Sequence, residues 1–324
     1  MTKISLINDQ EEIARMWAAL MPAPVNVFDL WETRMHFHRA FRRPVIGVKA
    51  EGALGEAEGF LPLSWVEEAR TWTVFPGETW KGKTWLEGNV FPARDRGTLE
   101  AMLEAVPGAA HLRYLDPMKQ SFGYPGAEED EVGYLFFPGR HSYNFQEYLN
   151  SFPRKTLKKL MAETSRLESR GVEYRFDCMD DAQFLFRMNI EAFGPESYFY
   201  DPRFLKGFED LLAWLRDKGM LRITAALIEG RTAAVDVGAV YKGYYSVLAG
   251  GVDRDFPGVA KLINFHHLER ACAEKLDCVD FLCGNFNWKE RMRLIPRPLM
   301  EIRLQEQPGV VYPAVREAEL ALRV

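Results

Sequence analysis

The sequence predicts a mixed α/β protein built as two unlike halves, and three observations carry that expectation. The chain has 324 residues, which at roughly 150 residues per domain is room for two domains. Short β-rich runs alternate along it with amphipathic helical segments. No repeat returns at a fixed period of about 20–50 residues and no low-complexity tract appears, which argues against a solenoid.

In the first half, EEIARMWAAL reads as a helix because Ile13, Met16, Trp17 and Leu20 fall on one face, with Asp9 as its N-cap. PVIGVKA, GFLPLSWV, TWTVF and HLRYL are short and β-rich, and TLEAMLEAV reads as a helix between the last two. The stretch from Gly123 to Glu131 is rich in turn residues and acid, and Pro138-Gly139-Arg140 follows a short apolar run. A boundary near residues 138–146 is expected, giving domains 1–140 and 141–324.

The second half opens with PRKTLKKLMAETSRLESRG, where Leu157, Leu160, Met161, Thr164 and Leu167 share a face and Gly171 stops the helix. Next come a strand (VEYRF), two helices (DDAQFLFRMNIEAFG and DPRFLKGFEDLLAWLRDKG) and three successive strands (LRITAALIEG, RTAAVDVGAVYKG and YYSVLAGG). A helix over Gly258 to Lys275 and a strand CVDFLC complete the expected core. The order β, α, α, β, β, β, α, β is the informative feature.

Lys plus Arg number 41 against 46 Asp plus Glu, a net charge of −5. That balance argues against a general nucleic-acid binder, whose affinity comes from neutralising phosphates. The first 140 residues hold 15 basic and 20 acidic side chains, so a phosphate site must be local. No run approaches the roughly 18 apolar residues of a membrane helix, and MTKISLINDQEEIARMW has no signal-peptide core, so a cytoplasmic protein without a membrane span is expected. Cys178, Cys272, Cys278 and Cys283 lack zinc-site spacing and read as reduced core residues. His266 and His267 are neighbours on one helix and diverge by about 100°, so no metal site is expected.

The chemistry is expected after YYSVLAGG. There the chain turns through Val252 to Gly258 and enters the helix VAKLINFHHLERACAEK. A helix start leaves N–H groups unpaired at a positive dipole end, and a glycine there lets phosphates come close to the backbone. Gly258, Val259, Ala260 and Lys261 form this anion cradle.

With Gly258-x-Ala260 at the helix start, this succession of elements resembles the GNAT fold of acyl-CoA transferases, whose pyrophosphate loop reads Arg or Gln-x-x-Gly-x-Gly or Ala. The basic position of that loop falls on Asp255, with Arg254 one place early, and Pro257-Gly258 is similar to the tandem-GNAT branch of CelD-like and FemAB-like proteins. The basic helix from Pro153 to Gly171, Asp280-Phe-x-x-Gly284, the pair Trp288-Lys289 and, in the first half, Pro62-Leu63 resemble the same branch. The resemblance implies two GNAT-like domains, each a twisted mixed β-sheet flanked by helices, with a cleft between them and the donor site in the second.

It also implies a role for each residue. Leu248, Ala249 and Gly250 match the positions where strands splay and a backbone N–H meets the thioester or ester carbonyl. Asp236, Tyr244, Tyr245 and Asp253 are candidate acids or bases. Asp236, between Val235 and Val237, reads equally as a hydrogen-bonded structural residue, the tyrosines as sheet packing, and Asp253 as a turn cap. Lys289 is the expected cation for a phosphate or a developing oxyanion, against a solvated lysine beside Arg291 and Arg293. Arg154, Lys155, Lys158 and Lys159 either guide a phosphate-bearing donor or form a wet helix face.

The function so implied is transfer of an acyl group from acetyl-CoA or another acyl-CoA to an amine-bearing acceptor, with no metal. The alternatives are a FemAB-like transferase that carries an aminoacyl group from tRNA to a cell-wall or peptide precursor, which Asp253 and Asp255 keep open by repelling a pyrophosphate, and a non-catalytic binding protein on a GNAT scaffold. GETWKGKT (77–84) fits a Walker A loop letter for letter, but Pro76 precedes it and Gly88 and Pro92 follow where a helix is required. Six of the eight tryptophans, at positions 17, 31, 65, 72, 80 and 85, sit early in the chain and read as core or as part of an acceptor cleft.

Overall fold

The computed structural model describes residues 2–284 and 287–305; the end of the expected second half, 306–324, lies outside them. The first half comprises β1 (Lys3–Ile7), α1 (Gln10–Leu20), α2 (Trp31–Phe41), β2 (Val45–Glu51), β3 (Ala57–Val66), β4 (Thr71–Val74), α3 (Arg96–Glu104), β5 (Ala110–Leu115) and β6 (Glu128–Phe136). Then follow α4 (Phe145–Asn150), α5 (Arg154–Glu168), β7 (Val172–Phe176), α6 (Met179–Phe193), α7 (Pro202–Asp217), β8 (Leu221–Ile228), β9 (Arg231–Tyr241) and β10 (Tyr244–Val252). The last elements are α8 (Val259–Ala273), β11 (Cys278–Asp280), α9 (Trp288–Arg291) and β12 (Ile295–Leu304).

Among the described residues twelve strands form one mixed sheet, in the order β1-β2-β3-β4-β5-β12-β6-β11-β10-β9-β8-β7. The two halves therefore share a sheet, joined where β6 pairs antiparallel with β11 through Val279↔Phe136 and Asp280↔Leu135. The last strand crosses back, so that β12 lies between β5 and β6. Apolar clusters cover the sheet: Phe204, Phe208, Leu211 and Leu215 of α7 pack with Val235 and Val237, and Leu268, Ala271 and Cys272 of α8 pack with Tyr245 and Val279.

The expected helices and strands are present, and Asp9 caps α1 by accepting from Glu12 N. Six elements were not anticipated. β1, α2, β6, α4 and α9 went unread, and β12 carries Pro296 and Pro298, which argue against an interior strand. The register explains their place. Around the two prolines β12 pairs with β6, whereas its pairing with β5 begins at Met300, so the missing N–H groups break no ladder on the β5 side. The stretch Gly123–Glu131, read as rich in turn residues and acid, ends in a strand, because β6 starts at Glu128 and runs into the middle of the sheet.

The Walker-like segment is no phosphate loop. Its own carboxylate fills the place of an anion: Thr84 Oγ1, Trp85 N and Leu86 N donate to Glu78 Oε1 at 2.6, 3.1 and 2.9 Å, and no helix follows before α3. Replacing Glu78 by Ala strands two buried backbone donors, so urea unfolding of that variant should show a loss of about 2–3 kcal/mol.

Candidate functional site

The opening in the second half of the sheet follows from a short pairing. β10 and β11 run parallel through only Tyr244↔Cys278, Tyr245↔Val279 and Ser246↔Asp280, while β10 stays paired with β9 as far as Val252↔Ala234. Asp280 Oδ1 then accepts from Leu282 N at 2.8 Å and turns the chain away from β10. β10 also carries a bulge between Val247 and Ala249, which re-aims the backbone at Leu248.

A cavity of about 490 Å³ fills this opening. β10 contributes Leu248, Ala249 and Gly250, α8 contributes Ala260 and Asn264, and Asp236 and Lys289 also line it. From the first half come Trp85, Glu87, Tyr114 and Glu131. A second lobe of about 390 Å³ is bounded by Glu163, Arg166, Pro257, Gly258 and Lys261. The lobes share Ala260, Asn264 and Trp288, so one cleft leads from the start of α8 to the parted strands.

Gly258 caps α8 at φ +97°, a left-handed conformation that favours glycine. Arg166 is exposed on α5, and Lys261 pairs with Glu163. Asp253 and Asp255, expected to repel a pyrophosphate, each accept from Arg231 Nη2 at 2.9 Å, and Arg254 is turned aside to donate to Ala192 O. Val259 does not face the cleft; it packs in the core with Phe256 and Ile263.

Asp236 combines both of its expected roles in position. It lines the cavity, and its Oδ2 lies 2.9 Å from His267 Nε2, whose Nδ1 is 3.5 Å from Tyr245 Oη. Gly250 opposite leaves room for this placement, because a Cβ there would stand 2.4 Å from Asp236 Oδ1 and displace it. His266 points elsewhere, stacked on Tyr174 at 4.0 Å, with burial holding its pKa down to about 4. Among the described residues no His, Cys, Asp or Glu cluster is arranged to hold a metal ion.

The two tyrosines proposed as acids are not among the residues lining the cavity. Tyr245 is buried in the core beneath α8, and Tyr244 donates to Asp280 Oδ2 at 2.9 Å. Burial raises both phenols far above their ordinary range. Lys289 departs from the solvated alternative: it is 2% exposed and donates to Leu282 O at 2.7 Å and Cys283 O at 2.8 Å. Burial lowers its pKa.

Sequence reading missed Glu87. It sits with Arg297, whose Nη2 is 3.1 Å from both Glu87 Oε2 and Asp280 Oδ2, and Cys283 N donates to Glu87 Oε1 at 2.7 Å. The signal was a lone acid in the apolar run WLEGNVF, and a lone Arg in IPRPLM. Of the early tryptophans, Trp17, Trp72, Trp80 and Trp85 are buried, and Trp85 both lines the cavity and donates to Leu248 O at 3.3 Å.

Burial first, and then repulsion from Asp280, push Glu87 up to about 7, while Arg297 pulls it back. A raised carboxyl pKa means the fold favours the protonated form. Its contribution to stability is complete below the ordinary carboxylate range and is lost as pH rises through about 7. Glu87→Gln should therefore flatten the fall of the melting temperature between about pH 5 and 8, as followed by circular dichroism.

Residues 154–290 match the family model described as an acetyltransferase (GNAT) domain. A Bacteroides thetaiotaomicron protein of unknown function superposes with TM-score 0.56 at 12% identity, over 94% of this chain and 100% of its own. FemX does so with TM-score 0.54 at 11% identity, over 93% and 97%. A tandem GNAT protein from the clavulanic acid biosynthesis pathway gives 0.52 at 13%, over 96% and 100%. At such identities the likeness is one of fold. No curated protein matches the sequence.

Proposed function

From a chain whose residues 154–290 match an acetyltransferase (GNAT) domain and whose fold is like that of a tandem GNAT protein, we propose an acyl-CoA-dependent N-acyltransferase acting on an amine-bearing acceptor. The observation that carries this reading is the single cleft running from the left-handed Gly258 at the start of α8 to the gap between β10 and β11. A polyphosphate fits the outer lobe, where the positive end of the α8 dipole meets Arg166 and Lys261. The inner lobe takes the acyl end beside the bulged backbone at Leu248, Ala249 and Gly250. There Lys289 supplies positive potential as charge develops on the carbonyl oxygen, and Asp236, held by His267, is a polar group beside the reacting centre.

One feature favours a second donor. Arg154, Lys155, Lys158 and Lys159 stand exposed on α5, and the Lys261 pKa is depressed by burial first and then by Arg291 and Lys159 nearby. A basic rim of this kind suits the end of an aminoacyl-tRNA as well as the phosphates of CoA.

Acyl-CoA at about 100 times its dissociation constant should add about 2.7 kcal/mol of stability, read as a saturable rise in melting temperature. Gly258→Glu and Arg166→Glu should each abolish or sharply weaken that rise. No rise with acetyl-CoA or longer acyl-CoAs, together with binding of aminoacyl-tRNA, would replace this reading by the tRNA-dependent one; binding of neither would leave a scaffold without a donor.

A further inference from the structure

The cavity wall holds a carboxyl group that the donor site does not use. Glu87, from the segment between β4 and α3, has a side chain 6% exposed and lines the inner lobe. Its oxygens are held from two sides, by Cys283 N at 2.7 Å and Arg297 Nη2 at 3.1 Å. The carbonyl of that same Leu282–Cys283 peptide unit, Leu282 O, accepts from Lys289 Nζ at 2.7 Å, so one peptide unit bridges the carboxyl and the amine. The charged and titratable groups about Glu87 are Arg297 of β12, Asp280 of β11, Cys283, Lys289 of α9, Tyr114 of β5, Tyr198 and, lining the same lobe, Glu131 of β6. Trp85, Phe199, Phe204 and Phe281 make the surrounding wall apolar.

Building on the acyl-transfer reading above, we propose that Glu87 is the proton acceptor for the acceptor's ammonium group, and that the acceptor is a primary amine carried on an apolar or aromatic frame. The ammonium nitrogen gives one proton to the Glu87 carboxylate, and the amine lone pair then forms the C–N bond at the thioester carbonyl carbon. The C–S bond breaks with its electron pair on sulfur, which takes the second proton from nitrogen. Glu87 returns its proton to water, so an amide, a thiol and one proton result.

The environment suits this task. A base is most effective when its pKa lies near the working pH, and burial brings Glu87 there, to about 7. Arg297 keeps the carboxylate form accessible, and Lys289, across the Cys283 peptide, offsets its charge. Aromatic walls bury the body of an apolar amine and leave its nitrogen to the polar residues of the lobe, Glu87 among them.

Glu87→Gln keeps the shape and the bond from Cys283 N but cannot take a proton. The assay follows thiol release from acetyl-CoA with ethanolamine, hexylamine and phenylethylamine, beside the acetyl-CoA melting shift. We expect the shift to persist, kcat to fall about 10²–10⁴-fold, and the limb of kcat/KM that rises through about pH 7 to disappear. A purely structural Glu87 would change the melting temperature and leave that limb in place, which overturns the proposal. So would an unchanged rate, or thiol release from none of the three amines while the wild type still shows its acetyl-CoA shift. Absence of the shift in the wild type instead overturns the donor reading, and this proposal with it.

Discussion

Arg297 lies between two carboxylates, 3.1 Å from Glu87 and 3.1 Å from Asp280, with all three side chains almost fully buried. Taking such ions out of water costs several kcal/mol each, and removing one member of a buried pair typically costs about 3–5 kcal/mol because its partner is left uncompensated. The arrangement is therefore fixed: wherever Arg297 goes, the segment carrying Glu87 and the end of β11 must go too. Gly133, its register partner on β6, has no side chain, and a Cβ there would stand 3.0 Å from the guanidinium. Charge and space together thus set where the first half of the chain meets the second.

The cleft and this charge cluster are one feature. Asp280 is the last residue of β11 to pair with β10; one of its oxygens turns the chain at Leu282 and the other receives Tyr244 and sits beside Arg297. The strands part where β11 is tied sideways into the cluster, and the parting makes the cavity. Tyr244 accordingly serves to hold Asp280. On the other rim, Arg231 draws both acids of the turn onto itself, so the approach to Gly258 meets the helix start with less of the turn's negative charge.

Much of this was legible from spacing alone. The three successive strands from Leu221, the glycine at the start of α8 and the buried period-two pattern around Asp236 are local signals, and each reports directly on backbone or burial. Asp236, Leu248, Ala249, Gly250, Ala260 and Lys289 line the inner lobe, and it was the resemblance to the GNAT fold, not spacing, that singled them out as site residues. Glu87 and Arg297 were not singled out, because their meaning depends on being brought together from 210 positions apart. A carboxylate in an apolar run has no local partner to announce it. β12 was hidden for a related reason: its prolines disqualify an ordinary interior strand, and only the staggered register, paired with β6 first and β5 later, makes them harmless. The GETWKGKT pattern misled in the opposite direction, since the local letters of an anion loop were right and the anion was the loop's own Glu78.

The position of β12 ties assembly of the sheet to assembly of the site. β5 and β6 are both made early in the chain, yet β12 lies between them, so the first half's side of the sheet closes only when residues 295–304 arrive. Arg297 travels on that strand. Until it inserts, Glu87 and Asp280 have no guanidinium between them, and two carboxyl groups in a dry interior favour the state with a proton bound. Insertion supplies the missing cation and the missing ladder at once, and long-range pairing of this kind is slow to form because the loop entropy must be lost before the contacts are gained. The cavity wall that carries Glu87 is therefore completed by the same event that completes the sheet, which makes an ordered cleft a property of the whole chain and of neither half by itself.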